Sequence, residues 1–452
     1  MRMVISLDLI IVFSISFILL VSSVYNGIFI AYPLAVGILL FSIVALKRGY
    51  SSVNILKMAF RGGKKSFIVV RVFILIGAII SIWMSSGTVP AIVYYGIELI
   101  RPNTFILSAF LISCFVSFLI GTAVGTSGIV GIALMVMAKS GGVDLAATSG
   151  AIIAGAFFGD RCSPMSSSAS FVSFLTETNV YDNFKNMFKT SIVPLVISVA
   201  FYLLVSQVFP LHSSTNNINN EILKAFNLNP IVLVPVLVII VFSTFRVDVK
   251  ISMIISIIIA FIISILVQHQ SILNCAKFII FGYSLDKSNP LSAIIKGGGI
   301  IPLLKTSLVV FLASAFAGIV EETKMLNNIE NITNKANSRY MVFRNVFITS
   351  LFTSIVGCSQ TFAVMLTHML NKKSYIKNGF DNSCAAVDLE NTAIMFSALI
   401  PWNISLLAPM MILGTDVACI PYLMYIYLLP ICNLLFFKFY KSKNCNCVII
   451  ND

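Results

Sequence analysis

Apolar runs of membrane-crossing length follow one another along almost the whole chain. A transmembrane helix needs about 20 mostly apolar residues. Leu7–Val24, Gly27–Leu46, Val72–Leu99, Thr104–Ile120, Ser191–Val208, Ile231–Phe242, Ile251–Val267, Ile301–Ile319, Val346–Val356 and Tyr422–Phe437 read as crossings or as parts of them. Hydrophobic residues make up 58% of 452 positions, which leaves no stretch for a sizeable soluble domain. The expected class is an all-α polytopic membrane protein. The first apolar run, Leu9–Ser22, has no small-residue cleavage site after it, so it reads as a retained helix and not a signal peptide.

The net charge of +13 would suit nucleic acid in another setting. In a chain this apolar it marks cytoplasmic loops rich in Lys and Arg, and no nucleic-acid partner is expected. Lys47, Arg48, Lys57, Arg61, Lys64, Lys65 and Arg71 crowd between the second and third spans. That segment is expected in the cytoplasm, with the N-terminus beside it. Within it, Val53–Phe60 reads as a basic amphipathic helix on the membrane surface. Leu211–Asn229 is polar and Asn-rich and reads as an external link between halves. Further basic positions are Arg246 and Lys250, Lys324 to Arg344, Lys372–Lys377, and the tail from Lys438 to Lys443. The organisation is therefore 1–210, an N-terminal transmembrane repeat; 211–229, the linker; 230–437, a C-terminal inverted repeat; and 438–452, a cytoplasmic tail. The expected location is the cell (inner or plasma) membrane, multi-pass, with both termini cytoplasmic. The nine cysteines, among them Cys114, Cys275 and Cys432, read as small core residues and not disulfides. Cys445 and Cys447 alone are a weak metal signal.

One stretch stands apart: GAFFGDRCSPMSSSA, from Gly155 to Ala169. It places Asp160 and Arg161 side by side between apolar runs, where only 10% of residues are charged. A carboxylate at bilayer depth is costly and normally faces a cavity or a partner. Pro164 ends the helix, and Ser163, Ser166, Ser167 and Ser168 offer hydroxyls to freed backbone or to a bound ion. The second half carries similar features. Gly125-Thr126-Ser127 is matched by Gly357-Cys358-Ser359, and Ser163-Pro164 by Ile400-Pro401-Trp402-Asn403. A carboxylate precedes each proline break, Asp160 in one half and Glu390 in the other. Halves of opposite orientation with matched broken or re-entrant helices are the pattern of inverted-repeat secondary transporters, whose site lies between the repeats.

These residues resemble a known family. GAFFGDRCSPMSSSA looks like the GDK-x-SPLSDTT stretch of the NhaC family of Na+/H+ antiporters, in the ion transporter superfamily. WMSSGTVPAIVYYG at 83–96 resembles its third-helix motif, and LENTAIMFSALIPWN at 389–403 its LED-x-GT…LIPWN motif. The resemblance covers most of the chain. It implies a Na+/H+ antiporter with relatives that exchange organic acids such as malate and lactate. Asp160, Ser163, Ser166, Glu390 and Asn403 match the motif positions. The chain departs from the motif at Ser167 and Asn391, where the family has Asp, and at Val387 and Ala393, where it has Arg and Gly. Ser and Asn keep oxygens for a hard cation but carry no proton.

The expected machine is a secondary transporter, not an enzyme, working by alternating access around Asp160, Ser163, Ser166, Thr126, Ser127, Ser359, Thr361, Glu390, Asn391 and Asn403. Arg161, Pro164, Pro401 and Trp402 support that set. Asp160 with Ser163 is the expected Na+ position, because one carboxylate holds Na+ or H+ but not both. Expected partners are small ions or a small organic solute and the lipid bilayer, with a homodimer as the candidate assembly. No cofactor is expected beyond the transported Na+ and H+. The alternative is an exchanger or symporter of an organic anion or amino acid. Bland readings stand beside these: Asp160-Arg161 as a structural ion pair, Ser166 to Ser168 as a helix cap, and Trp83, Trp402, Tyr94 and Tyr95 as interface aromatics.

Overall fold

The computed structural model describes residues 7–439 apart from 27, 100, 164–165, 212–214, 246, 248, 286–291, 293–294 and 324–335. Pro164, Arg246, Lys324, Lys335 and the tail beyond residue 439 therefore lie outside the described residues. The all-α expectation holds. Among the described residues the β structure is a two-residue antiparallel pair, Tyr283–Ser284 with Lys296–Gly297.

Four helical stretches among the described residues are long and apolar enough to cross a membrane: Pro102–Ile120, Ala123–Ser140, Val180–Val208 and Ile300–Val320. Ile74–Ser85 and Thr88–Tyr95 count as a fifth only as a pair, bent by 68°. Sequence reading took this region as one span. It breaks at Gly87, which adopts φ +81, a left-handed conformation that glycine takes without Cβ strain. Hydroxyls supply partners at the break. Ser86 and Thr88 share a hydrogen bond of 2.8 Å, and Thr88 donates to the Val232 carbonyl at 2.7 Å. Freed backbone is tolerated in membrane helices where such groups re-satisfy it.

The Leu7–Tyr25 and Ala31–Lys47 helices pack as the expected hairpin. The Leu145–Cys162 helix, capped by Asp144 through the Ala147 amide at 2.7 Å, packs against Phe105–Ile120. Gly155 and Gly159 allow their backbones to meet. A Cβ at Gly159 would lie 2.1 Å from the Ser117 carbonyl carbon, and one at Gly155 2.5 Å from the Phe110 oxygen. Small residues four apart are what membrane helices use for so close an approach. The spacing in GAFFG therefore packs this helix rigidly and fixes Asp160 one residue beyond the second glycine.

The basic segment departs from expectation. Ser52–Lys65 is a helix, but its buried face, Ile55, Met58 and Gly62, lies on Ile300–Glu322. Gly62 meets Gly318 backbone to backbone, and Arg61 pairs with Glu322 at 2.6 Å. A protein helix takes that face, and Val53, Leu56 and Phe60 stay exposed on the other. The linker is also more ordered than its composition suggests: Thr215–Ala225 is a helix whose Ile222 is buried, with Phe226 buried just beyond it. Trp83 and Trp402 are both buried, and their indole N–H groups donate to Ser256 at 3.0 Å and the Ile355 carbonyl at 2.8 Å. They are core residues, not interface aromatics. Cys114, Cys275 and Cys432 are free thiols as expected, whereas Cys384 is disulfide-bonded.

Candidate functional site: a carboxyl at the meeting of broken helices

Four helical segments begin around one cavity of about 450 Å³. They start after Thr122, Ser166, Ser359 and Asn403, and two come from each half of the chain. Each of these residues is extended and polar, as a helix start requires, because the first turn has amides without intrahelical partners. Ser166 accepts the Ser168 and Ala169 amides, both at 3.1 Å, and donates to the Asp160 carbonyl. Asn403 accepts the Ser405 amide at 3.1 Å and donates to the Ser354 carbonyl at 3.0 Å. Helix N-termini carry partial positive charge, and here four of them surround one space.

Asp160 supplies the negative charge on the cavity wall. It is 5% exposed and lies at the end of the Leu145–Cys162 helix. Its Oδ1 accepts the Ala123 amide at 3.4 Å. Its Oδ2 accepts the Ser168 hydroxyl at 3.1 Å and the Gln360 amide at 3.3 Å. Gln360 also donates to Ser168 at 3.0 Å and accepts from the Ser405 hydroxyl at 2.9 Å. A continuous polar path thus runs from Asp160 through Gln360 and Ser405 to Asn403. It ties the break in the first half to both breaks in the second.

Arg161 faces elsewhere, since successive residues on a helix do not share a face. It is fully buried, and among the described residues its guanidinium donates only to neutral acceptors: the Asn391 carbonyl, Thr190 at 2.7 Å, the Met187 carbonyl at 3.0 Å, Ser191, Cys162 Sγ at 3.0 Å, and Tyr425 at 3.3 Å. Asp160 and Arg161 form no ion pair, so the structural-pair reading falls. Glu390 is 1% exposed, and neither of its oxygens has a hydrogen-bond partner among the described residues. It feels Arg161 and Asp160 electrostatically. Two residues earlier, Asp388 is clamped by Arg339 through two bonds of 2.6 Å.

The structure sorts the sequence candidates. Asp160, Ser359 and Thr361 line the cavity. Ser166 and Asn403 are helix caps at its edge, and Ser163 is buried behind it. Thr126 and Ser127 give their hydroxyls to the carbonyls of their own helix, Thr122 at 2.8 Å and Ala123 at 2.9 Å. Residues 122–124, one turn earlier, face the cavity in their place. Asn391 binds Arg161 and does not border the space. Pro401 and Trp402 form the turn that precedes the Ile404–Leu413 helix. Sequence reasoning missed Gln360 and Ser405. Gln360 directly follows Ser359 in GCSQTF, but an isolated amide carries no pattern of its own.

Helices broken in both halves, with one carboxyl held by neutral donors on the wall of a cavity where they meet, define a polytopic membrane carrier for a small solute. The chain belongs to the Na+/H+ antiporter family, whose sequence pattern matches residues 1–173 and 155–439. It is 27% identical over 411 residues to the Na+/H+ antiporter NhaC of Bacillus subtilis, which covers 89% of this chain and 91% of that protein. It is 25% identical to the malate-2H+/Na+-lactate antiporter of the same organism, over 80% of this chain and 78% of that one. The arginine/ornithine antiporter ArcD of Halobacterium salinarum is 25% identical over 74% of this chain and 70% of its own length.

Proposed function

We propose that this antiporter exchanges Na+ for H+ at Asp160. The observation that carries the reading is the carboxyl itself, on a cavity wall with a hydroxyl, an amide nitrogen and a backbone N–H as its only partners among the described residues. Neutral donors are readily exchanged for a cation, whereas a salt bridge would hold the carboxylate shut. Hard cations take oxygen ligands, and Asp160, Ser168, Ser359, Ser405 and the Gln360 carbonyl bring oxygens to this space. Na+ and H+ then compete for one carboxylate, and opening the cavity to alternate sides converts that competition into exchange. Arg161 holds the Leu145–Cys162 helix against Val180–Val208 and Asn391, and so fixes the direction in which Asp160 points.

The two halves serve in this reading as inverted repeats, each giving two helix starts to the cavity. The basic segment Lys47–Arg71 and the tail face the cytoplasm.

The test is transport in proteoliposomes with an internal pH dye. Added Na+ should drive proton efflux, and apparent Na+ affinity should fall as pH drops, because protons occupy the same carboxylate. Affinity that is constant over the range of activity would sink the shared-site model. A second reading has its own support in the four helix N-termini, which favour an anion. On it, a small organic acid or amino acid is the cargo, such as the malate and lactate or the arginine and ornithine for which two relatives are named. Uptake of labelled malate, lactate or arginine without Na+-driven proton flux would favour that reading.

A further inference from the structure

A second cavity, of about 680 Å³, lies apart from Asp160. Four elements run from one cavity to the other. The Leu145–Cys162 helix borders the second at Leu145 and the first at Phe157 and Asp160. The Ala123–Ser140 stretch borders the first at Ala123 and the second at Ile132 and Lys139. Ile404–Leu413 passes from Ser405 to Met411, and Ile300–Glu322 from Pro302 to Ser314. The two cavities therefore sit at opposite ends of the same bundle. Along Ile404–Leu413 the interval from Ser405 to Met411 is about 9 Å at the rise of an α-helix.

What fills that interval is apolar and tight. Ser127–Gly131 forms a π-helical turn, a local widening that often marks functional sites. Ile76, Ile152 and Leu413, the last of which also lines the second cavity, are buried against its glycines. A Cβ at Gly128 would lie 2.9 Å from Ile76, and one at Gly131 2.7 Å from Leu413 and 3.0 Å from Ile152. No methyl fits between these groups without movement.

We propose that the second cavity is the opposite mouth of the ion path, and that Ile76, Gly128, Gly131, Ile152 and Leu413 are the gate between the two. The inference rests on the exchange reading for its cargo but not for its geometry. The first mouth carries Asp160, which holds a cation. The second carries Lys139 and Lys296 and no carboxylate among its described lining residues. The glycines let the gate close on backbone, and the π-helical turn supplies the hydrogen-bond slack that a change of register needs.

Sidedness of thiol labelling tests this whatever the cargo is. Leu145→Cys and Ser314→Cys are made separately, with wild-type protein as the control for native thiols. A bulky membrane-impermeant reagent is applied to intact cells and to inside-out vesicles, and exchange is measured before and after. Leu145→Cys should react from one side and Ser314→Cys from the other, and the Leu145→Cys adduct should lower exchange at least tenfold. Reaction of both from the same side, or full exchange with the adduct in place, overturns the proposal. A preparation that labels on opposite sides yet moves no Na+ would sink the cargo assignment alone. The gate has its own test. Gly131→Ala should slow exchange in protein that remains monodisperse, and Leu413→Ala in the same chain should restore most of the rate. A double variant as slow as the single one removes these residues from the gate.

Discussion

Asp160 and Glu390 occupy matching places in the chain, each a carboxyl shortly before a proline break, and the fold treats them in opposite ways. Asp160 meets three donors and borders a cavity. Glu390 meets none among the described residues and is 1% exposed. The difference lies in the neighbours. Around Asp160, helices start, and their first turns bring unpaired amides and hydroxyls. Around Glu390 the donors do not turn to the carboxyl: the Asn391 carbonyl accepts from Arg161 while its amide nitrogen, like Arg161 Nε, has no partner among the described residues, Thr392 bonds Ser350 at 2.9 Å, and Asp388 is held by Arg339.

The comparison can be broken most severely at Asp160. Asp160→Asn keeps the shape and one oxygen but removes the charge. Losing one member of a buried charged contact costs about 2–5 kcal/mol, so Na+-driven proton flux should fall by roughly 30-fold or more. The variant should still insert and purify normally. Unaltered exchange by well-folded Asp160→Asn protein would move the site to Glu390.

A smaller effect is expected one bond away. Gln360→Ala removes the amide that bridges Asp160, Ser168 and Ser405. A lost hydrogen bond of this kind is worth about 1 kcal/mol, so apparent Na+ affinity should weaken roughly fivefold with the maximal rate largely kept. Ser168→Ala in the same chain should then add little, since the two share one network. Full additivity would show that they act independently.

The smallest effect should come from Glu390→Gln. Among the described residues no donor reaches either oxygen, so an isosteric amide breaks no hydrogen bond and removes only a charge that acts on Arg161 and Asp160 without direct contact. Na+ affinity measured in proteoliposomes should change within about threefold. Loss of exchange comparable to Asp160→Asn would make the two carboxyls equals and end the contrast drawn above.

Much of this was legible before any coordinates. Of the apolar runs, Thr104–Ile120, Ser191–Val208 and Ile301–Ile319 fall in helices long enough to cross, Val72–Leu99 covers the bent pair, and GAFFGDRCSPMSSSA announced the break. The serines were harder. Ser166 and Ser168 share one tripeptide, yet Ser166 caps a helix and Ser168 reaches the carboxylate. Which of them turns inward depends on helix phase across a proline break, and composition does not specify that phase. Thr126 and Ser127 looked as suitable as any residue, but inside a helix their hydroxyls have a carbonyl one turn back within reach. Gln360 gave no local signal because its role depends on Asp160 being 200 positions away in sequence.

The sequence by itself determined that the chain lives in a bilayer, that its helices break at defined places, and that it belongs with the Na+/H+ antiporters. These are local properties: hydrophobic length, helix-stopping residues, and motifs of about fifteen residues. Only the tertiary structure decided which carboxyl faces a cavity, which polar groups stand around it, and where a second cavity lies. Those outcomes depend on contacts between residues far apart in the chain. Gly159 on Ser117 fixes the depth of Asp160, and Gly131 on Leu413 and Ile152 closes the space between the cavities. Backbone contact of that kind is set by how helices cross, and a glycine reads the same in the sequence whether or not another helix lies against it.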